Sequence, residues 1–163
     1  MKLYNFFDKN IFADLEKEAI SSPRKRAHLN LHLSYNDPIQ KTVIALSRKT
    51  YIPPHFHKYD YQKELFIVLN GELKLVVFNE EGVVLKVIKL LPGEIVEILP
   101  FTIHTVVCLS CTAQIVEIKC GPFVADESKE IPKWSFSEDN ELASMFVDWL
   151  ESVEVGEKII LNF

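Results

Sequence analysis

Between about residues 29 and 120 the chain is a succession of short apolar, β-branched and aromatic runs separated by turn-forming residues. Leu29, Leu31 and Leu33 alternate with Asn30, His32 and Ser34, the period-two pattern of a strand with one apolar and one polar face. Residues 42–46, 64–69, 72–78, 83–91, 94–99, 104–109 and 112–119 read as further strands. Asn79-Glu80-Glu81-Gly82 predicts a hairpin turn, and Leu109-Ser110 another. Such short connections favour antiparallel pairing and leave no room for helical crossovers between parallel strands.

The flanks follow a different period. Around residues 8–20, Ile11, Phe12, Leu15 and Ala19 recur on one helical face, Asp8 is placed to cap it, and Pro23 ends it. Near the other end, Ser137 is the expected cap, with Glu138, Asp139 and Glu141 in the first turn, where the helix dipole favours acids. Leu142, Met145, Phe146, Trp149 and Leu150 form the predicted apolar stripe, and residues 158–161 are read as an added edge strand. The pattern predicts one all-β domain, a jelly-roll barrel with short N- and C-terminal helices. Its zones are an N-terminal helical segment (1–28), the barrel (29–123) and a C-terminal extension carrying the second helix (124–163).

With 163 residues the chain can bury a sizeable core without disulfide or zinc staples. A formal charge of -5 disfavours nucleic acid as a partner, because phosphate binding needs a clustered basic surface. The one dense basic run, Arg24-Lys25-Arg26, reads as a solvated loop. No membrane-spanning or signal-like apolar stretch is present, and three cysteines are too few for a disulfide framework, so a cytoplasmic setting is expected. Cys108-Leu109-Ser110-Cys111 has the form of a redox or zinc motif but spans a predicted hairpin turn with no second ligand pair, so it reads as structural.

Four residues carry candidate chemistry. His55 and His57 are two apart, so in extended chain both rings point to one side. Glu64 opens the strongly apolar run Leu65-Phe66-Ile67-Val68-Leu69, where a carboxylate is costly unless it is paired or bound to a metal. His104 opens Thr105-Val106-Val107-Cys108. Three imidazoles and one carboxylate make a mixed nitrogen and oxygen site suited to a first-row divalent ion, with positions left open for water or substrate.

This spacing resembles the cupin superfamily, whose first motif runs from a His-x-His pair through a Glu to a Gly. Here these are His55, His57, Glu64 and Gly71. The second motif corresponds to Gly93, Pro100 and His104. The resemblance implies a double-stranded β-helix barrel holding one divalent transition metal ion (iron, manganese, nickel or zinc). Six residues separate His57 from Glu64, more than in the commonest cupins, which makes Gln62 the alternative ligand; the intact spacing from Glu64 to Gly71 favours Glu64.

A narrower likeness covers roughly residues 20–135. Arg26-Ala27-His28-Leu29-Asn30-Leu31-His32, Gln40, residues 51–57, Glu64-Leu65-Phe66, Glu117-Ile118-Lys119-Cys120-Gly121-Pro122-Phe123 and Lys133-Trp134 look like the WbuC group of cupin-fold metalloproteins. That group is typically encoded among polysaccharide biosynthesis genes. The likeness implies Arg26, Asn30, His32, Gln40, Tyr51 and Lys119 as pocket residues. The open mixed-ligand site, taken with that context, leads to the expectation of a metal-dependent enzyme acting on a small sugar-like or carbonyl metabolite such as a nucleotide sugar, an isomerase or epimerase, or a dioxygenase if the ion is iron. The alternatives are a metal-free sugar epimerase and a non-catalytic barrel that binds a small ligand. By analogy with cupins, two copies are expected to pair as a homodimer through their sheets.

Overall fold

The computed structural model describes residues 3–158, and its layers follow from which strand faces are apolar. Helix α1 (Lys9–Ser21) leads into β1 (Arg26–Asn30) and β2 (Ile39–Ser47). Then come β3 (Glu64–Asn70), β4 (Leu73–Phe78), β5 (Val84–Leu90), β6 (Ile95–Ile98), β7 (Ile103–Cys108) and β8 (Thr112–Cys120). A 3-10 turn (Ala125–Glu127) and helix α2 (Ala143–Ser152) follow. The strands form two antiparallel sheets, β1-β2-β8-β3-β6 and β5-β4-β7, facing each other.

Between the sheets lies a core of Ile44, Leu46, Phe66, Val68 and Ile115 from the larger sheet and Leu73, Leu75, Leu90 and Val106 from the smaller. Helix α1 covers the outer face of the larger sheet, placing Leu15 and Ala19 on Ala27, Val43 and Ala45. Helix α2 covers the outer face of the smaller sheet, placing Phe146, Val147 and Leu150 against Val76, Phe78 and Val107. Because both faces of β4 and β7 are covered, these strands read as nearly continuous apolar runs rather than as alternation. Lys74 is the exception on β4. Its buried ammonium donates to the carbonyls of Leu150 (3.0 Å), Glu151 (3.1 Å) and Val153 (2.7 Å), which are left open where α2 ends.

Several expectations are met with small shifts, and others are corrected. Asp8 caps α1, its carboxylate accepting from the Asn10 and Ile11 amides. The first strand begins at Arg26 and ends at Asn30. Residues after it turn away, leaving Leu33 exposed, so the Leu29–Leu31–Leu33 face is not a strand face throughout. Ser137 does not cap α2, which starts only at Ala143 without a side-chain cap. Met145 is exposed and Val147 buried instead. The acid expected in that first turn, Glu138, pairs with Arg24 and Arg26, so the basic run is anchored rather than solvated throughout. Cys108 is buried and Cys111 exposed, both free thiols. Lys158 bridges to Val83, and the rest of the expected tail strand lies outside the described residues. No helix among the described residues is long and apolar enough to cross a membrane.

Gly71 turns β3 into β4 at φ +74°, and a Cβ there would stand 2.3 Å from the Thr112 carbonyl oxygen. Gly71→Ala is therefore expected to lower stability by more than about 2 kcal/mol, read as a shifted urea midpoint with unchanged slope.

Candidate metal centre

Local chain geometry delivers the ligands from four places. After Pro53-Pro54, His55 forms an isolated antiparallel bridge to His104, with main-chain hydrogen bonds of 3.0 and 2.9 Å. Two residues on, the His57 carbonyl accepts from the Phe101 amide at 2.8 Å. Glu64 heads β3 on the same face as core residues Phe66 and Val68, and His104 sits near the start of β7, opposite Val77. The candidate donor atoms of His55, His57, Glu64 and His104 all lie within 4.8 Å of one another, and all four residues are buried.

The hydrogen bonds fix the character of these rings. Nδ1 of His55 lies 2.9 Å from the Pro53 carbonyl oxygen, and Nδ1 of His104 lies 2.9 Å from that of Thr102. Nδ1 of His57 meets the Ser128 carbonyl oxygen at 2.5 Å. A carbonyl oxygen only accepts, so each Nδ1 carries a proton, and each ring in its neutral form offers a bare lone pair at Nε2. Burial, reinforced by the neighbouring His104, holds His55 well below the ordinary histidine range, which keeps that ring neutral.

The opposite nitrogens converge on a carboxylate. Glu64 Oε2 stands 2.9 Å from His57 Nε2 and 3.0 Å from His104 Nε2. With neutral rings these are contacts between acceptors. His57 Nε2, His104 Nε2 and Glu64 Oε2 are all buried without a hydrogen-bond donor. A divalent cation among them satisfies every one of these atoms, and the donor set of three imidazoles and one carboxylate suits a first-row metal. Such imidazole-to-carbonyl bonds are the usual support for metal-binding histidines.

Charge at the other carboxylate oxygen is set by Lys119. Its ammonium lies 3.1 Å from Glu64 Oε1 and 3.0 Å from Glu117 Oε1, bridging a buried acid and a partly buried one. Burial alone would raise the pKa of Glu64, but the Lys119 ammonium holds it well below the usual carboxylate range. Burial and the nearby Glu64 charge raise Glu117, although Lys119 opposes this. Lys119 itself is raised despite its own burial, because both acids favour its charged form. Glu117 was not foreseen as part of this site. Its signal was available, since Ile115, Glu117 and Lys119 share one face of β8 and two charges on that face need partners.

A small cleft of about 30 Å³ abuts the cluster through His57 and Lys119. Gln40 and Gln62 line it too, with Phe123 and Ser128 on the wall after β8. Of the expected pocket residues, Gln40 and Lys119 are here, and Arg26, Asn30, His32 and Tyr51 do not line it. Arg26 is buried, donating to the Tyr51 carbonyl at 2.8 Å and pairing with Glu138, while the Tyr51 hydroxyl donates to the Phe136 carbonyl at 2.9 Å. Both fasten the C-terminal extension to the barrel. Asn30 Oδ1 accepts from the Thr42 hydroxyl at 3.3 Å, and His32 Nδ1 sits 2.9 Å from the Lys41 carbonyl oxygen beyond the end of β1.

Gln62, the alternative ligand, has its amide engaged elsewhere. Its Oε1 accepts from the Tyr59 amide at 3.1 Å and its Nε2 donates to the Glu127 carbonyl at 2.9 Å. The longer loop between His57 and Glu64 is thereby tied to the turn that presents the Ser128 carbonyl to His57.

A family model described as a domain of unknown function, DUF6016, matches residues 7–90, more than half of the chain. The chain belongs to the DUF6016 family. The matched span holds His55, His57 and Glu64 but ends before His104. No curated protein matches the sequence. Solved structures share the fold of this DUF6016 protein. A conserved Streptococcus pyogenes protein of unknown function is 12% identical at TM-score 0.53, with 76% of this chain and 93% of that one covered. A cupin 2 conserved barrel protein from Rhodopseudomonas palustris is 13% identical at TM-score 0.52, covering 67% and 68%. An oxalate oxidase in complex with the substrate analogue glycolate is 16% identical at TM-score 0.51, covering 64% and 55%. The fold of the DUF6016 chain is thus a single cupin barrel with two short helices.

Lys119→Met leaves buried Glu64 and partly buried Glu117 without their shared countercharge. In metal-free protein this is expected to cost roughly 3 kcal/mol in urea unfolding, and a stability equal to wild type would refute the bridging role.

Proposed function

We propose that this protein is a metal-dependent cupin that holds one divalent first-row ion on His55, His57, Glu64 and His104 and acts on a small sugar-like or carbonyl metabolite. The observation that carries the metal is the convergence of bare, buried acceptor atoms: His57 Nε2 and His104 Nε2 face Glu64 Oε2 with no donor among them. Bound there, the ion supplies Lewis-acid polarisation of a carbonyl or hydroxyl oxygen.

The chain's own residues set the conditions for that chemistry. The Pro53, Thr102 and Ser128 carbonyls hold the three rings in the tautomer that leaves Nε2 free. Lys119 aims Glu64 and offsets part of its charge, so three neutral ligands and one carboxylate leave a divalent site with net positive character. A ligand in the cleft meets Lys119 from β8 and Phe123 from the segment after it. The sugar-like substrate class and a role in polysaccharide biosynthesis are supported by the WbuC resemblance around Arg26–Asn30, residues 51–57 and 117–123.

Elemental analysis of tag-free protein tests the reading. Wild type is expected to carry near-stoichiometric iron, manganese, nickel or zinc. His57→Ala should lose affinity by more than the ~10–100-fold that loss of a mere supporting partner costs. Full metal retention in that variant would refute the ligand assignment, and a metal-free wild type after reconstitution would refute the metal centre itself.

A further inference from the structure

Among the residues that line the cleft, Gln40 carries a buried side-chain oxygen with no hydrogen-bond partner among the described residues. Gln40 is 4% exposed on β2, and its side chain is oriented unambiguously by its surroundings. Three main-chain carbonyl oxygens surround its Nε2, those of Asp37 at 2.8 Å, Tyr35 at 3.2 Å and Ser34 at 3.3 Å. Only the NH2 end can face three acceptors, so the amide cannot be flipped. Its Oε1 is therefore committed to the other side, where it is buried and has no donor in the protein. The segment around it is closely fitted: a Cβ on Gly121 would meet the Asp37 carbonyl oxygen at 1.9 Å.

Strand register places this orphan acceptor relative to the cluster. Gln40 is directly opposite Lys119, and Lys119 is directly opposite Glu64, in one row across β2, β8 and β3. Adjacent strands are about 4.8 Å apart, so the Gln40 and Glu64 backbones stand roughly two such spacings apart with their side chains reaching inward. A ligand of a few bonds' length anchored at the cluster spans that interval. Gln40, Lys119 and His57 all line the same cleft.

We propose that Gln40 is a specificity-determining ligand contact, its Oε1 accepting a hydrogen bond from a hydroxyl that lies several bonds from the oxygen held at the metal centre. The substrate class is then polyhydroxylated, a carbonyl or enediol compound with a distal hydroxyl, rather than a short acid or simple ketone without one. The physical reason is the asymmetry of buried acceptors. A ligand that supplies the donor satisfies Oε1, whereas an analogue without it covers Oε1 and strands it. The proposal rests on the metal-centre reading above.

The test uses full-length protein reconstituted with cobalt(II), whose visible spectrum reports ligands entering its coordination sphere. Metal uptake is measured first by elemental analysis. The loaded protein is then titrated with dihydroxyacetone, erythrulose and xylulose, and with the counterpart of each that lacks the terminal hydroxyl distal to the carbonyl. For at least one pair, the hydroxylated member is expected to bind about tenfold more tightly, the worth of one such hydrogen bond. In Gln40→Met protein with the same cobalt content, that preference is expected to shrink to less than about twofold. Equal affinity within every pair in cobalt-loaded wild type overturns the proposal, and so does binding of no hydroxylated member. Because the wild-type comparison needs no substitution, a Gln40→Met chain that fails to fold leaves the test intact. Absence of cobalt uptake overturns the metal centre and this contact together, whereas uptake without discrimination overturns only the contact.

Discussion

Three hydrogen bonds from imidazole to main-chain carbonyl govern the chemistry of this molecule. By taking the Nδ1 protons of His55, His57 and His104, the carbonyls of Pro53, Ser128 and Thr102 leave three Nε2 lone pairs facing inward. With the rings neutral, the contacts of His57 and His104 to Glu64 Oε2 are between acceptors, and a cation between them relieves this. Everything that positions those carbonyls is thereby part of the centre. Pro53 belongs to the approach to His55, Thr102 to the turn before β7, and Ser128 to the extension beyond β8.

The C-terminal extension therefore does two jobs. Its 3-10 turn and the bridge between Phe56 and Glu130 bring the Ser128 carbonyl onto His57. Further on, Glu138 gathers Arg24 and Arg26, and α2 seals the outer face of the smaller sheet. The extra length between His57 and Glu64 fits the same plan, because Gln62 within it binds the Glu127 carbonyl of that turn. A longer loop joining two ligands is entropically tolerable when its middle is pinned in this way.

Charge within the barrel is balanced locally. Glu64, Glu117 and Lys119 form a chain of contacts of 3.0 to 3.1 Å in which one ammonium serves two carboxylates. Lys119 offsets Glu64 at one oxygen while the other remains directed at the imidazoles. A buried acid so arranged keeps its charge where an isolated one would take up a proton.

Much of this was legible in the order of residues. Period-two alternation and turn residues marked most strands to within one to three residues, because burial against a core imposes local hydrophobic pattern. The His55–His57 pair, Glu64 and His104 stood out as polar groups at the mouths of apolar runs, and the structure brings all four together. Where pattern and contact diverged, the reason was tertiary. The late start of α2, the exposure of Met145 and the recruitment of Glu138 by Arg26 depend on how the extension lies on the smaller sheet, which no local period records. The carbonyls that fix the ring tautomers carry no side-chain signature at all, since any residue at positions 53, 102 or 128 supplies one. Gln40 and Lys119 came to line one cleft with His57, and Arg26 and Tyr51 did not, because strand register and side-chain reach decide who shares a cavity. Sequence by itself determined the layers and the ligand types. Only the folded chain decided which carbonyls hold their rings, which charges partner them and which buried acceptors are left without a donor.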